Sequence, residues 1–195
     1  MTDQDLIKQV TENNDHSAFA MLVERYQKLV VNTCRGFVNS YADAEDLAQD
    51  VFIELFESLP NFRHESKLST WLYRIAVNKS LNYVRKRKRE TFYDSITSFF
   101  GSSEDKNSNA SIDFSPNEAD SYIKLKEQRV ELKRAINALP ENQKIAFILN
   151  KYQDLSYKEV AEVMDISLSS VESLLFRAKG NLQKSLSNFY KKTYK

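Results

Sequence analysis

The chain has 195 residues, 42% of them hydrophobic and 28% charged, so it can bury one sizeable core or two small ones and is too apolar to remain disordered. Three Gly and three Pro are too few to punctuate many short strands, which disfavours sandwiches and barrels and favours long helices joined by few turns. With 28 basic and 27 acidic side chains the net charge is +1; the total points to no partner, but the distribution does. From Tyr41 to Pro60 there are six acids and no base, from Trp71 to Glu90 seven bases and one acid, and from Arg177 to Lys195 six bases and no acid. Separate blocks of opposite sign are expected where different surfaces meet different partners.

A single cysteine, Cys34, permits no intramolecular disulfide and is compatible with a reducing compartment. The longest apolar run, Ala18 to Val23, is far short of a membrane span, and the start MTDQDLIKQV is polar rather than signal-like. The expected location is the cytoplasm, without insertion into a membrane.

From Asp15 to Glu90 the chain reads as helices. Phe19, Leu22, Val23, Tyr26, Leu29, Val30 and Cys34 follow helical spacing, and so do Ala44, Leu47, Ala48, Val51, Phe52, Leu55 and Leu59. Pro60 ends the second stretch. The polar connector NFRHESKLS leads to a third helix from about Thr70, whose basic end is Arg85 to Arg89; cations there also suit the helix dipole. Residues 91–120 are rich in Ser, and their acids well outnumber the single Lys, which marks a flexible linker whose aromatics exceed what an inert spacer needs. Helical pattern returns from Ser121, through Ile136 and Leu139 to Pro140 and on to Leu149. The expected fold is all-α: two small helical domains, 1–90 and 121–195, joined by the linker 91–120.

The segment LSYKEVAEVMDISLSSVESLLFRAKGNL carries the strongest local signal. Ser156 with Glu159 and Ser169 with Glu172 read as capping boxes, so two helix starts lie too close together for independent helices. Met164 to Ser167 forms the turn between them, with Asp165 able to take the left-handed backbone that Gly often supplies. Small Ala161 permits a close crossing, while Val160, Ile166, Val171 and Leu175 hold the pair together. This is a helix-turn-helix, and a second helix starting near Leu168 presents Ser169, Ser170, Glu172, Ser173, Phe176, Arg177 and Lys179 to a major groove. The competing reading is a plain helical hairpin with a solvated face.

Two further faces carry charge. Asp46, Asp50, Glu54 and Glu57 fall on one side of the second helix. With no His or Cys beside them they do not read as a metal site, which leaves a solvated face or an interface for a basic partner helix. In the following helix Arg74, Asn78, Arg85 and Lys88 share a face, where Asn suits an adenine edge and the cations suit phosphates; periodicity alone fits an ordinary polar helix exterior equally well. Trp71 and Tyr73 could stack on unpaired bases, although a Trp in this setting is more often a core anchor.

These pieces in this order resemble the extracytoplasmic-function (ECF) sigma factors, the compact two-domain members of the sigma-70 superfamily of bacterial RNA polymerase sigma factors. The matching stretches are DAEDLAQDVFIELFESLPNFR (Asp43 to Arg63), STWLYRIAVNKSLNYVRKRKR (Ser69 to Arg89) and LPENQKIAFILNKYQDLSYKEVAEVMDISLSSVESLLFRAKGNL (Leu139 to Leu182); the linker falls outside the resemblance. It implies a non-enzymatic protein with no cofactor, metal or catalytic residue, made of sigma region 2, the linker and sigma region 4. It implies that Asp43, Glu45, Asp46, Gln49 and Asp50 bind core RNA polymerase at the clamp coiled coil of its largest subunit, with the flap as a further contact. Lys67, Ser69, Arg74, Asn78, Lys79 and Arg85 are implied in recognising and melting the minus-ten element of promoter DNA. Ser170, Glu172, Ser173, Phe176 and Arg177 are implied in reading the minus-thirty-five element. A regulating anti-sigma factor is implied as a partner. Glu172 and Leu174 stand where the family commonly has basic residues, and Asn82 replaces a common Asp, so an altered base preference is expected.

Two other classes compete on the residues alone. A self-sufficient helix-turn-helix repressor or activator would bind its operator without polymerase. An enzyme is the remoter option, because His16 and His64 lie in polar surroundings, Cys34 sits in an apolar stripe, and no nucleophile, base and orienting group can be matched.

Overall fold

The computed structural model describes residues 1–38, 40–98 and 116–193. Over these the chain forms eight α-helices and one 3-10 turn, and no strand occurs among the described residues, which agrees with the all-α expectation. Helix α1 (Asp3–Asn13) lies in the stretch read only as a polar start. Thr2 and Asp5 close a capping box around its first turn, Asn14 terminates it in the left-handed conformation at φ 51°, and Leu6, Ile7 and Val10 are buried beneath it. Arg25 and Tyr26 of α2 (His16–Phe37) both bond Asp3 and tie α1 down.

Helix α3 (Tyr41–Ser58) starts on Ser40, whose hydroxyl accepts from the Asp43 amide, and runs into a 3-10 turn at Leu59–Asn61 that contains Pro60. Helix α4 (Leu68–Ser98) begins slightly before Thr70 and continues beyond Glu90. The expected apolar stripes converge: Leu22, Val30, Cys34, Val51, Leu55, Leu59 and Leu72 are all almost fully buried in one core. A Leu removed from water in this way contributes roughly 1.5–3 kcal/mol. Burial also pushes the Cys34 thiol up to about 11, so it is an inert core group, as its apolar stripe suggests.

Helix α5 (Pro116–Asn137) begins inside the stretch read as linker; residues 99–115, with Phe99, Phe100 and Phe114, lie outside the described residues. Pro140 precedes α6 (Glu141–Tyr152). Helices α7 (Tyr157–Met164) and α8 (Leu168–Thr193) form the helix-turn-helix. Ser156 and Glu159 make both halves of the expected capping box, and Asp165 holds the turn at φ 53° and ψ 49°. The second cap differs from expectation. Ser167, not Ser169, accepts from the Ser170 amide at 3.2 Å, because α8 already begins at Leu168 and Ser169 is inside its first turn. Val160 and Val171 are fully buried where the two helices cross.

The two halves are docked as well as linked. Phe37 of α2 with Tyr73 and Val77 of α4 share a buried cluster with Ile145, Ile148, Leu149 and Val160 of the second half. Gly36 marks the closest approach: a Cβ there would lie 2.5 Å from Cγ2 of Ile148, so only a residue without a side chain lets α2 and α6 meet this tightly.

Candidate polymerase and promoter interfaces

Helix α3 sorts its residues by physical character. Ala44, Leu47, Ala48 and Val51 face the core, leaving Glu45, Asp46, Gln49 and Asp50 exposed on the outer side. Asp43 is half-buried, because Arg87 of α4 pairs with it at 2.7 Å. Further along, Glu54 receives the Lys79 ammonium at 2.9 Å. That bond, followed by the nearby charges of Asp50 and Glu57, holds Lys79 above its usual lysine range. The acidic surface is therefore partly neutralised by α4 at Asp43 and Glu54, and Glu45, Asp46, Gln49, Asp50 and Glu57 stay exposed. No group of three or more His, Cys, Asp or Glu among the described residues could hold a metal ion.

The residues expected at the minus-ten element do not form one free face. Lys67 and Asn78 are exposed and Ser69 is half-buried. Arg74 reaches across to the second half, where Nε donates to the Val163 carbonyl at 3.2 Å and Nη2 donates to the Glu162 carbonyl. Those carbonyls belong to the last turn of α7, which carries the negative end of the helix dipole; the Asp165 N–H reaches the Glu162 carbonyl only at a long 3.4 Å. Arg85 forms a two-pronged contact with the Glu141 carboxylate in the first turn of α6. Lys79 is held by Glu54, as described. Of the six, three are engaged with carboxylates or carbonyls, two of them across the seam between the halves. Trp71 is half-buried and stacked on Phe62 at 4.8 Å and 15°, and Tyr73 is buried in the interdomain cluster, so Tyr73 is closed to base stacking and Trp71 has one face taken by Phe62.

The helix-turn-helix presents a different state. Ser170, Glu172, Ser173, Phe176 and Arg177 are all exposed on α8, and Phe176 is 81% exposed. Its ring packs against no core among the described residues and stands in water on an otherwise polar helix face. Arg177 donates to the Ser173 carbonyl at 3.2 Å, which lays its guanidinium back along the helix, and Met164, Ile166, Ser169 and Ser170 border a groove of about 480 Å³ beside it. Ser170, Ser173 and Arg177 line that groove, while Phe176 stands beside Glu172, Ser173 and Arg177 on the same exposed side of α8, the second helix of the helix-turn-helix.

Sequence reasoning missed the partners of Arg74 and Arg85 and the docking surface they reinforce. Backbone carbonyls at a helix end leave no side-chain pattern to read. The run of small and apolar residues at Gly36 and Phe37 was the one available signal.

Comparison with known proteins fits this layout. Residues 22–90 match the family model for Sigma-70 region 2 and residues 129–182 that for Sigma-70, region 4. The ECF RNA polymerase sigma-E factor of Haemophilus influenzae is 34% identical over 187 residues, covering 95% of this chain and 96% of that protein. The RNA polymerase sigma-H factor of Pseudomonas aeruginosa is 34% identical over 188 residues, covering 94% and 93%, and the Escherichia coli ECF sigma-E factor is 34% identical over 179 residues, covering 92% and 91%. Among solved structures, CnrH in complex with the cytosolic domain of CnrY has a similar fold, with a TM-score of 0.65 at 22% identity over 95% of this chain and 97% of that one. RpoE of Bartonella quintana, solved with the anti-sigma factor NepR, has a TM-score of 0.58 at 22% identity over 87% and 96%. An acidic helix, a basic helix and an exposed helix-turn-helix, arranged in the order of sigma regions 2 and 4 and matched along nearly the whole chain, place this protein in the family of ECF RNA polymerase sigma factors.

Proposed function

We propose that the chain binds core RNA polymerase through Asp43, Glu45, Asp46, Gln49 and Asp50 of α3 and directs it to promoters. Lys67, Ser69, Arg74, Asn78, Lys79 and Arg85 serve the minus-ten element, and Ser170, Glu172, Ser173, Phe176 and Arg177 read the minus-thirty-five element. The chain performs no covalent chemistry, requires no cofactor and works in the cytoplasm beside the polymerase; no helix among the described residues is long and apolar enough to cross a membrane. The observation that carries this reading is the presence of both sigma regions, in order, on one chain. Each DNA-binding half raises the effective concentration of the other at its own element, so neither needs high affinity alone.

The engaged state of Arg74 and Arg85 adds a condition. Both guanidiniums must leave α7 and α6 before they can meet phosphates, so the halves separate when the promoter is bound. An anti-sigma factor is the expected regulator, in keeping with the anti-sigma complex known for the structurally similar RpoE.

Transcription by purified core enzyme, with and without the chain, tests the reading: new promoter-specific transcripts are expected only with it. Asp46→Arg together with Asp50→Arg should abolish association with core enzyme, because like charges then meet at the contact. Co-purification of this double variant at wild-type yield refutes the α3 assignment, and tight operator binding without polymerase would favour an independent repressor or activator.

A further inference from the structure

A cavity of about 830 Å³ lies at the seam between the two halves. Its size is that of sites for small organic molecules, roughly 300–1,000 Å³, and far exceeds what a bare ion fills. Phe37, Val38 and Val84 supply apolar lining, while Lys88 of α4 and Lys144 of α6 bring one cation from each half. Arg87 also lines it, but its charge is already met by Asp43 at 2.7 Å.

Lys144 is the unusual member. It is only 6% exposed, and its ammonium donates to Asn137 Oδ1 at 2.7 Å and lies 5.6 Å from the centre of the Phe37 ring. Neither neighbour carries a negative charge, and no carboxylate pairs with it among the described residues. Burial pushes the amine down to about 8, and the charges of Lys88 and Lys133 push in the same direction. A buried cation without a counter-charge is costly, and natural interiors pair such groups or leave them for a ligand.

We propose that this cavity binds a small organic anion, with its charged head between Lys88 and Lys144 and its apolar body on Phe37, Val38 and Val84. Because the walls come from both halves, such a ligand binds the docked arrangement and not the separated one. It therefore stabilises docking by mass action and holds Arg74 on the α7 carbonyls. Two kinds of molecule share this chemistry, a nucleoside phosphate with a flat base and a medium-chain carboxylate with a flexible tail.

The test uses the full chain and 8-anilinonaphthalene-1-sulfonate as the probe, followed by fluorescence, with ADP and decanoate as separate competitors. One equivalent is expected to bind saturably. Lys144→Met, which keeps the side-chain length and removes the buried charge, should weaken binding about tenfold or more, as should Lys88→Glu, an exposed change that leaves the core untouched. Displacement by ADP or by decanoate identifies the source of the anion. Non-saturable binding, equal affinity in both variants and wild type, or displacement by neither competitor overturns the proposal.

Discussion

Gly36→Ala separates the docking of the two halves from the stability of either. The new methyl would lie 2.5 Å from Ile148 Cγ2, well inside the roughly 3.5–4.0 Å at which carbon atoms attract, and Ile148 is fully buried with nowhere to retreat. Overpacking of this kind costs roughly 1–3 kcal/mol. Here the strain is released by moving α6 away from α2, so it falls on docking and shifts the docked-to-separated ratio by about 5- to 150-fold. The same substitution favours helix α2 itself, since Ala exceeds Gly by about 1 kcal/mol in a helix interior. The two effects have opposite signs and can be read apart. Small-angle scattering should show a larger radius of gyration for the variant, while thermal unfolding of the first half should be unchanged or slightly raised. With Arg74 freed from α7, affinity for promoter DNA should also increase. Scattering that superimposes on wild type would show that the seam accommodates a methyl and that Gly36 does not set the approach of the helices.

Arg177→Ala should weaken minus-thirty-five binding by roughly 1–3 kcal/mol while leaving association with core enzyme intact; transcription from promoters with and without a minus-thirty-five element checks this, and equal loss on both removes Arg177 from the reading face. Asp165→Val forces a β-branched residue to φ 53° and should destabilise the helix-turn-helix by roughly 1–2 kcal/mol, measurable as a lower unfolding midpoint. Lys144 and Cys34 give stability opposite pH slopes. Burial and the neighbouring lysines push the folded-state Lys144 amine down to about 8 from its usual 10.5, so the unfolded chain holds more protons above pH 8 and stability rises with pH there. The folded-state thiol titrates at about 11 against 9.0, so its stabilising effect is lost as pH rises above 9. Lys144→Met should therefore be more stable than wild type at pH 7, with the gap narrowing by roughly 1 kcal/mol by pH 9; denaturant unfolding of both proteins at the two pH values measures it.

Features carried by short-range chemistry were legible in the sequence. The Ser156–Glu159 capping box, the left-handed Asp165 and the burial of Val160 and Val171 each follow from residues within one or two helical turns of each other. The alternative cap at Ser169 failed for a local reason: three serines in a row of four offer several candidates, and the hydroxyl of Ser167 is the one preceding the first helical residue. Val130 and Leu132 fit the apolar pattern of α5 but are 46% and 39% exposed, since periodicity names an apolar position without naming what covers it. The contacts of Arg74 lie 88 and 89 residues away on backbone oxygens. No spacing rule reaches that far, and every helix ends in such acceptors. The charge blocks were read as surfaces for outside partners, whereas Arg87 meets Asp43 and Lys79 meets Glu54 within the chain itself.

That internal pairing bears on how a near-neutral chain can serve both an acidic and a basic partner surface. The α4 cations are not idle before DNA arrives; carboxylates of α3 and α6 and the carbonyl end of α7 already occupy several of them. These pairs are mostly exposed, where an ion pair is worth only about 0–1 kcal/mol. They can therefore be exchanged for phosphates, whose release of condensed counterions adds a driving force that the internal partners lack. The helix-turn-helix face and the centre of the α3 acidic face have no such prior engagement. On the function proposed above, binding starts on those two open surfaces and α4 is recruited as the halves part, because its cations are the ones already paired in the free chain.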